Sequence, residues 1–130
     1  MKKSDEHILR RIRMFCMEIE KSVSHIHYDA FMKPDKFERR NSCSFALLQI
    51  GELVTKLSDD FKLQHNEVKW KNWSGVRNTI AHNYEGLDMK RAWNLCTKHT
   101  PVLAKSVCTI LDRLNIEEEN ECKVKAVKVH

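Results

Sequence analysis

Apolar side chains in the first third of the chain fall at Ile8, Ile12, Phe15, Ile19, Val23 and Ile26, in steps of 4, 3, 4, 4 and 3. That is the period of a helix, not the alternation of a strand. Leu9 and Cys16 widen the stripe, and Arg10, Arg11, Arg13, Glu18, Glu20 and Lys21 occupy the other side. The pattern predicts one long amphipathic helix from Ser4 to Phe31. Pro34 stops it, because the residue before a proline is biased out of the helical region. Asp35 and Glu38 have the spacing of a capping box, which predicts a second helix from there to Leu57. Its core stripe is Leu47, Ile50, Val54 and Leu57, with Phe45, Leu48 and Glu52 on an adjacent stripe. Ser58-Asp59-Asp60 reads as the exit, and 61–71, with no clean period, as an irregular connection or a short turn. A third helix is predicted over Trp73–Ala81. Gly86 breaks the chain, and Asp88 is a good N-cap for a fourth helix starting Met89-Lys90-Arg91. Thr100-Pro101 fits an N-cap followed by proline at the first helical position. Val102, Leu103, Val107, Ile110, Leu111 and Leu114 then mark a fifth helix.

The tail changes character. Four glutamates lie between Asn115 and Glu121, and from Lys123 to His130 lysine alternates with small apolar residues. It is read as frayed or disordered chain. The expected architecture is all-α: a single helical bundle of about five helices over 1–114, followed by a charged tail over 115–130. The size, 130 residues, suits one domain with a real core. Only 3 Gly and 2 Pro argue against a turn-rich β sandwich or barrel. No apolar run reaches the length of a membrane span. The basic N-terminus is interrupted by Asp5, Glu6 and three arginines, so no secretory signal is expected. Five widely spaced cysteines without a C-x-x-C read as reduced thiols of a cytoplasmic protein. The net charge of +5 permits a polyanionic partner but does not demand one.

One segment stands apart, from Trp73 to Tyr84. It packs a guanidinium (Arg77), a carboxamide (Asn78), an imidazole (His82) and a phenol (Tyr84) into eight residues. Arginine grips phosphate with two parallel hydrogen bonds. Histidine exchanges protons near neutrality. Together they can break a phosphodiester without a metal: a base takes the ribose 2′-OH proton, a cation steadies the crowded phosphorus centre, and an acid protonates the leaving 5′ oxygen. Positions 77 and 82 are five apart, so on an unbroken helix they diverge by ~140°. Either the helix ends or distorts near His82, or the two groups meet across a subunit interface. A symmetric dimer would supply two histidines, one as base and one as acid. Taken alone, the pair reads first as a surface arginine and a histidine capping the last carbonyls of a helix.

Arg77-x4-His82-x-Tyr84 resembles the R-x(4–6)-H-x-Y signature of HEPN-domain toxins, in particular the HepT-like branch. Gln49-Ile50-Gly51-Glu52 resembles that branch's I-G-E stretch, and Trp70-Lys71-x-x-Ser74-Gly75-Val76-Arg77-Asn78 its approach to the arginine. The likeness runs in the same order from Phe37 to Leu111. Asn83 departs from it, standing where an acidic residue is frequent, and the tail after Leu114 has no counterpart.

The resemblance implies a small all-α homodimer whose paired motifs line a cleft between protomers. It implies a metal-independent endoribonuclease that needs no cofactor, the toxin of a type VII toxin–antitoxin pair. The implied antitoxin is a minimal nucleotidyltransferase, MntA-like, that transfers AMP to the motif tyrosine. Arg77 would then hold the scissile phosphate, His82 act as general acid or base, Asn78 orient phosphate or histidine, and Tyr84 accept AMP. An AMP phosphate beside the site would occupy Arg77 and repel RNA. Tyr84 alternatively packs at the dimer rim with its hydroxyl in water. Glu52 either pairs with Arg77 or is a solvated carboxylate. The alternative function is a non-catalytic HEPN dimer that binds and regulates a nucleotidyltransferase. Elsewhere, His25 and His27 do not share a helical face and do not suggest a metal site. Trp70, Trp73 and Trp93 read as core or interface anchors before base-stacking platforms. Arg10, Arg11, Arg13, Arg39 and Arg40 read as a solvated face before an RNA rim.

Overall fold

In the computed structural model the backbone is described for residues 1–82 and 88–128, and side chains for 1–80 and 88–123. The described residues form helices and no strand: α1 Lys3–Val23, α2 Tyr28–Phe31, α3 Phe37–Lys56, α4 Asp59–Gln64, α5 Trp70–His82, α6 Met89–Asn94 and α7 Thr100–Lys128. The all-α expectation holds. The expected break at Gly86 lies outside the described residues.

The first helix stops earlier than its apolar stripe suggests. α1 ends at Val23, and His25 takes a left-handed conformation with φ 58°. The chain turns there, so Ile26 reaches the core from a loop and Phe31 from the short α2. The stripe is also centred one column over. Leu9, Ile12, Cys16 and Ile19 are buried, while Ile8, Phe15, Val23 and Ile26 flank them half-buried. Each aliphatic side chain so buried contributes about 1.5–3 kcal/mol.

Asp5 heads this column, 2% exposed. Its Oδ1 accepts from the Ser58 backbone N–H (2.9 Å), and its Oδ2 accepts from the Ser58 hydroxyl (2.6 Å). Ser58 Oγ also accepts from the Phe61 N–H at 3.2 Å, so Ser58 is the N-cap of α4 rather than the exit of α3. The stretch from 61, expected as an irregular connection or a short turn, thus opens with the later part of α4, and α5 begins three residues before Trp73. The capping box does not form. Asp35 lies inside a 3-10 turn, Pro34–Lys36, where its carboxylate meets Lys36 Nζ at 3.4 Å, and no side chain caps α3.

Asp88 caps α6 as expected, its Oδ1 accepting from the Lys90 and Arg91 N–H groups at 3.1 and 3.3 Å. Thr100 is no N-cap. α6 runs into α7 through a π-helical stretch, Leu95–His99. Pro101 has no N–H and its ring collides with the carbonyl four residues back, so the ladder must adjust. The buried Thr100 does this by donating both its N–H and its Oγ1–H (2.9 Å) to the Leu95 carbonyl.

α3 packs against α1 on one side and α5 on the other, and α1 also packs on α7. The core stripe Leu47, Ile50, Val54 and Leu57 is buried as predicted. α7 belongs to this body only as far as Leu114. From 115 to 123 every side chain is exposed, yet the backbone stays helical to Lys128. The frayed tail of the sequence reading is therefore replaced by a solvated helix. Glutamate and lysine are good helix formers that need no core contact.

Candidate active site on α5

Gly51 brings α3 and α5 together. A Cβ at this position would lie 2.9 Å from Arg77 Cβ, 2.9 Å from the Trp73 carbonyl oxygen and 3.0 Å from the Arg77 nitrogen. Only hydrogen fits. The close approach sets the next residue, Glu52, beside the motif arginine, with Arg77 Nε to Glu52 Oε2 at 2.6 Å. Both side chains are partly exposed, at 45% and 37%. Of the two readings of Glu52, pairing with Arg77 is the one realised. The contact is short and charge-assisted. It occupies Nε, and the two Nη groups carry the other four of the guanidinium's five N–H donors. A carboxylate on the Nε side leaves the Nη donors available to an anion.

Asn78 is exposed next to Arg77. α5 remains helical through His82. The helix therefore does not end before His82, and the divergence of positions 77 and 82, ~140° on an α-helix, stands within one chain. The His82 side chain and Tyr84 lie outside the described residues. Trp70 and Trp73 are buried at the start of α5, and Trp70 Nε1 donates to the His65 carbonyl at 2.9 Å. Trp93 packs on Phe31 with ring centroids 4.9 Å apart. All three tryptophans are structural. Among the arginines, Arg10 pairs with Glu6 at 2.8 Å, and Arg40 donates to the Phe31 and Lys33 carbonyls at 2.6 and 2.7 Å. Among the described residues, no group of three or more His, Cys, Asp and Glu is arranged to hold a metal ion.

The other side of α5 borders a groove that the sequence did not announce. α5 and α7 each pack on the central pair but hardly on one another. The space between them is an open groove of about 800 Å³, walled by Val76 and Leu103 and rimmed by Lys69, Lys71, Arg91 and His99.

The Ribonuclease HepT-like family model matches residues 8–110. The chain belongs to the HepT-like ribonuclease family. A protein of Caldanaerobacter subterraneus carrying an RNase designation is 32% identical over 108 residues, covering 83% of this chain and 91% of the relative. The protein named ribonuclease HepT in Thermococcus cleftensis is 27% identical over 107 residues, covering 79% and 92%. A further relative designated an RNase, from Methanocaldococcus jannaschii, is 28% identical over 93 residues, 72% and 75% of the two chains. No solved structure matches. No helix among the described residues is long and apolar enough to cross a membrane.

Proposed function

We propose that this HepT-like chain is a metal-independent endoribonuclease, and that Arg77, Asn78 and His82 carry the reaction. The observation that supports this reading best is the Glu52–Arg77 pair at 2.6 Å on a motif helix that stays intact through His82. Arg77 binds the scissile phosphate through its Nη groups and stabilises the negative charge that builds as the 2′-oxygen attacks phosphorus. His82 takes the 2′-OH proton, and the His82 of a second protomer gives a proton to the leaving 5′ oxygen. The products are a 2′,3′-cyclic phosphate and a free 5′-OH. Asn78 orients the phosphate.

The dimer this requires is supported by the surface beside Glu52. The outward face of α3 carries Phe37 and Phe45, 59% and 57% exposed, and Leu48, in helical register with Glu52. Phe15 of α1 adds its ring edge-on to Phe45, centroids 6.1 Å apart. An apolar face leading to a half-exposed arginine is suited to burial against a second copy. The chain acts as the toxin of a type VII pair. Its partner antitoxin is a minimal nucleotidyltransferase, MntA-like, that silences it by AMP transfer to Tyr84.

The test is cleavage of end-labelled RNA in EDTA by protein whose Tyr84 peptide is shown by mass spectrometry to be unmodified. Wild type should release 2′,3′-cyclic phosphate ends, and Arg77→Ala and His82→Ala should release none while remaining dimeric by light scattering. Unmodified, dimeric wild type that leaves RNA intact would instead favour a non-catalytic dimer that regulates its nucleotidyltransferase.

A further inference from the structure

Two glycines sit inside helices, and they differ. A glycine in a helix interior is less stable than alanine, so its presence asks for a reason. Gly51 has one, the contact with α5 described above. Gly75 has none among the described residues. A Cβ built there meets nothing within 4 Å. It opens instead into the groove between α5 and α7. A bare patch of backbone facing empty space is what a ligand needs in order to approach the helix closely.

The rim states what kind of ligand. Lys69, Lys71, Arg91 and His99 surround the groove, against one carboxylate, Glu67. Glu67 is turned to His65, at 3.8 Å. Among the described residues no ion pair engages Lys69, Lys71 or Arg91. Uncompensated cations converging on a concave apolar wall suit a polyanion with flat apolar groups. Polar groups on both sides, Asn72 and Ser106, can meet base edges. The groove also adjoins the motif helix. Residue 82 follows 75 and 79 by seven and three positions, so the helix register brings its Cα into line with theirs.

The geometry points to the groove between α5 and α7 as a binding subsite for single-stranded RNA, holding the nucleotides that flank the scissile phosphate. This rests on the ribonuclease reading above and deepens it. Lys69, Lys71 and Arg91 bind phosphates, and Gly75 lets the strand lie against α5.

The test measures binding without cleavage, by fluorescence anisotropy of a labelled 12-mer RNA with 2′-O-methyl groups throughout, which has no 2′-OH to attack. Wild type is compared with Gly75→Ala, Gly75→Leu and the triple variant Lys69→Ala, Lys71→Ala, Arg91→Ala. Gly75→Leu fills the groove and should weaken binding at least tenfold, with an unfolding midpoint no lower than wild type. The triple variant should lower the salt dependence, log Kd against log salt, by about 2, at ~0.7 per phosphate contact on a single strand. Folded Gly75→Leu that binds as tightly as wild type would overturn the proposal, as would an unchanged salt slope. A shift of Gly75→Leu from dimer to monomer in light scattering would also overturn it, by assigning the groove to a second protomer. The two readings fail separately. Cleavage that ignores groove substitutions removes the subsite and leaves the nuclease. Groove-dependent binding with no cleavage of ordinary RNA keeps the subsite and removes the nuclease.

Discussion

Replacing Gly51 by alanine isolates the contact that positions the motif arginine, Arg77. The added methyl would lie 2.9 Å from both Arg77 Cβ and the Trp73 carbonyl oxygen. Neither neighbour is the free end of a flexible side chain, so α5 has to move. Overpacking of this kind costs about 1–3 kcal/mol. Alanine in place of glycine in a helix returns about 0.5–1 kcal/mol. Gly75→Ala supplies the control, since it gains the same propensity and meets nothing within 4 Å. Subtracting one from the other cancels the backbone contribution and leaves the interhelix contact, about 1–3 kcal/mol. For a chain of this size 1 kcal/mol is worth about 3–5 °C in Tm. Urea and thermal unfolding should therefore rank the proteins Gly75→Ala, wild type, Gly51→Ala, from most to least stable. The folded fraction of Gly51→Ala should also cut RNA more slowly, because Glu52 and Arg77 no longer share their present spacing. If Gly51→Ala is as stable as Gly75→Ala, the two helices are not in the close contact on which the site depends.

Other substitutions test other contacts. Asp5→Ala strands the half-buried Ser58 N–H and frees the α4 cap, and should destabilise by about 1–3 kcal/mol in urea unfolding. Thr100→Val removes the hydroxyl bond to the Leu95 carbonyl and should cost about 1 kcal/mol in the same measurement. Glu52→Gln removes the charge that steadies Arg77 and should lower kcat more than it raises KM, whereas an unchanged kcat would remove Glu52 from the positioning role. Burial pushes the Cys16 thiol up to about 12, so the folded chain keeps a proton that the unfolded chain loses near 9.0. Stability from this group is intact below pH 9 and falls as pH rises toward 12, by at most ~1.4 kcal/mol per pH unit. Cys16→Ser or Cys16→Ala should flatten that limb of the pH–stability curve. In native protein a thiol reagent should reach the exposed Cys122 first and leave buried Cys16, Cys43 and Cys96 unreacted.

Helix existence was legible wherever the period was strong, as along α3 and the packed half of α7. The misreadings have local causes. The α1 stripe runs on to Ile26 in sequence, but His25 turns the backbone, and periodicity carries no sign of a single left-handed residue. Thr100-Pro101 has the chemistry of a helix start, yet the π turn absorbs the proline and α6 and α7 stay joined. Ser58 followed by two aspartates looked like an exit because it opens a helix too short to show a period. At the site, Arg77 and its partner Glu52 were both visible, the glutamate through its place after Gly51. The groove was not, because Lys69, Lys71, Arg91 and His99 come from segments far apart in sequence, and only folding brings them together.

The register of α5 connects these observations. Arg77 faces α3, where Glu52 holds it, while Gly75 and Thr79 border the groove on the other side. One helix therefore presents the motif arginine to one surface and a basic, open groove to another. The first surface is continuous with the exposed phenylalanines of α3, the second with the rim lysines. Pairing two copies across the α3 face would set two arginines near each other at the seam and leave each groove free to carry a strand toward it. The proposed site would then depend on three separable features: Gly51 for the placement of Arg77, the α3 phenylalanines for the seam, and Gly75 for the path of the strand.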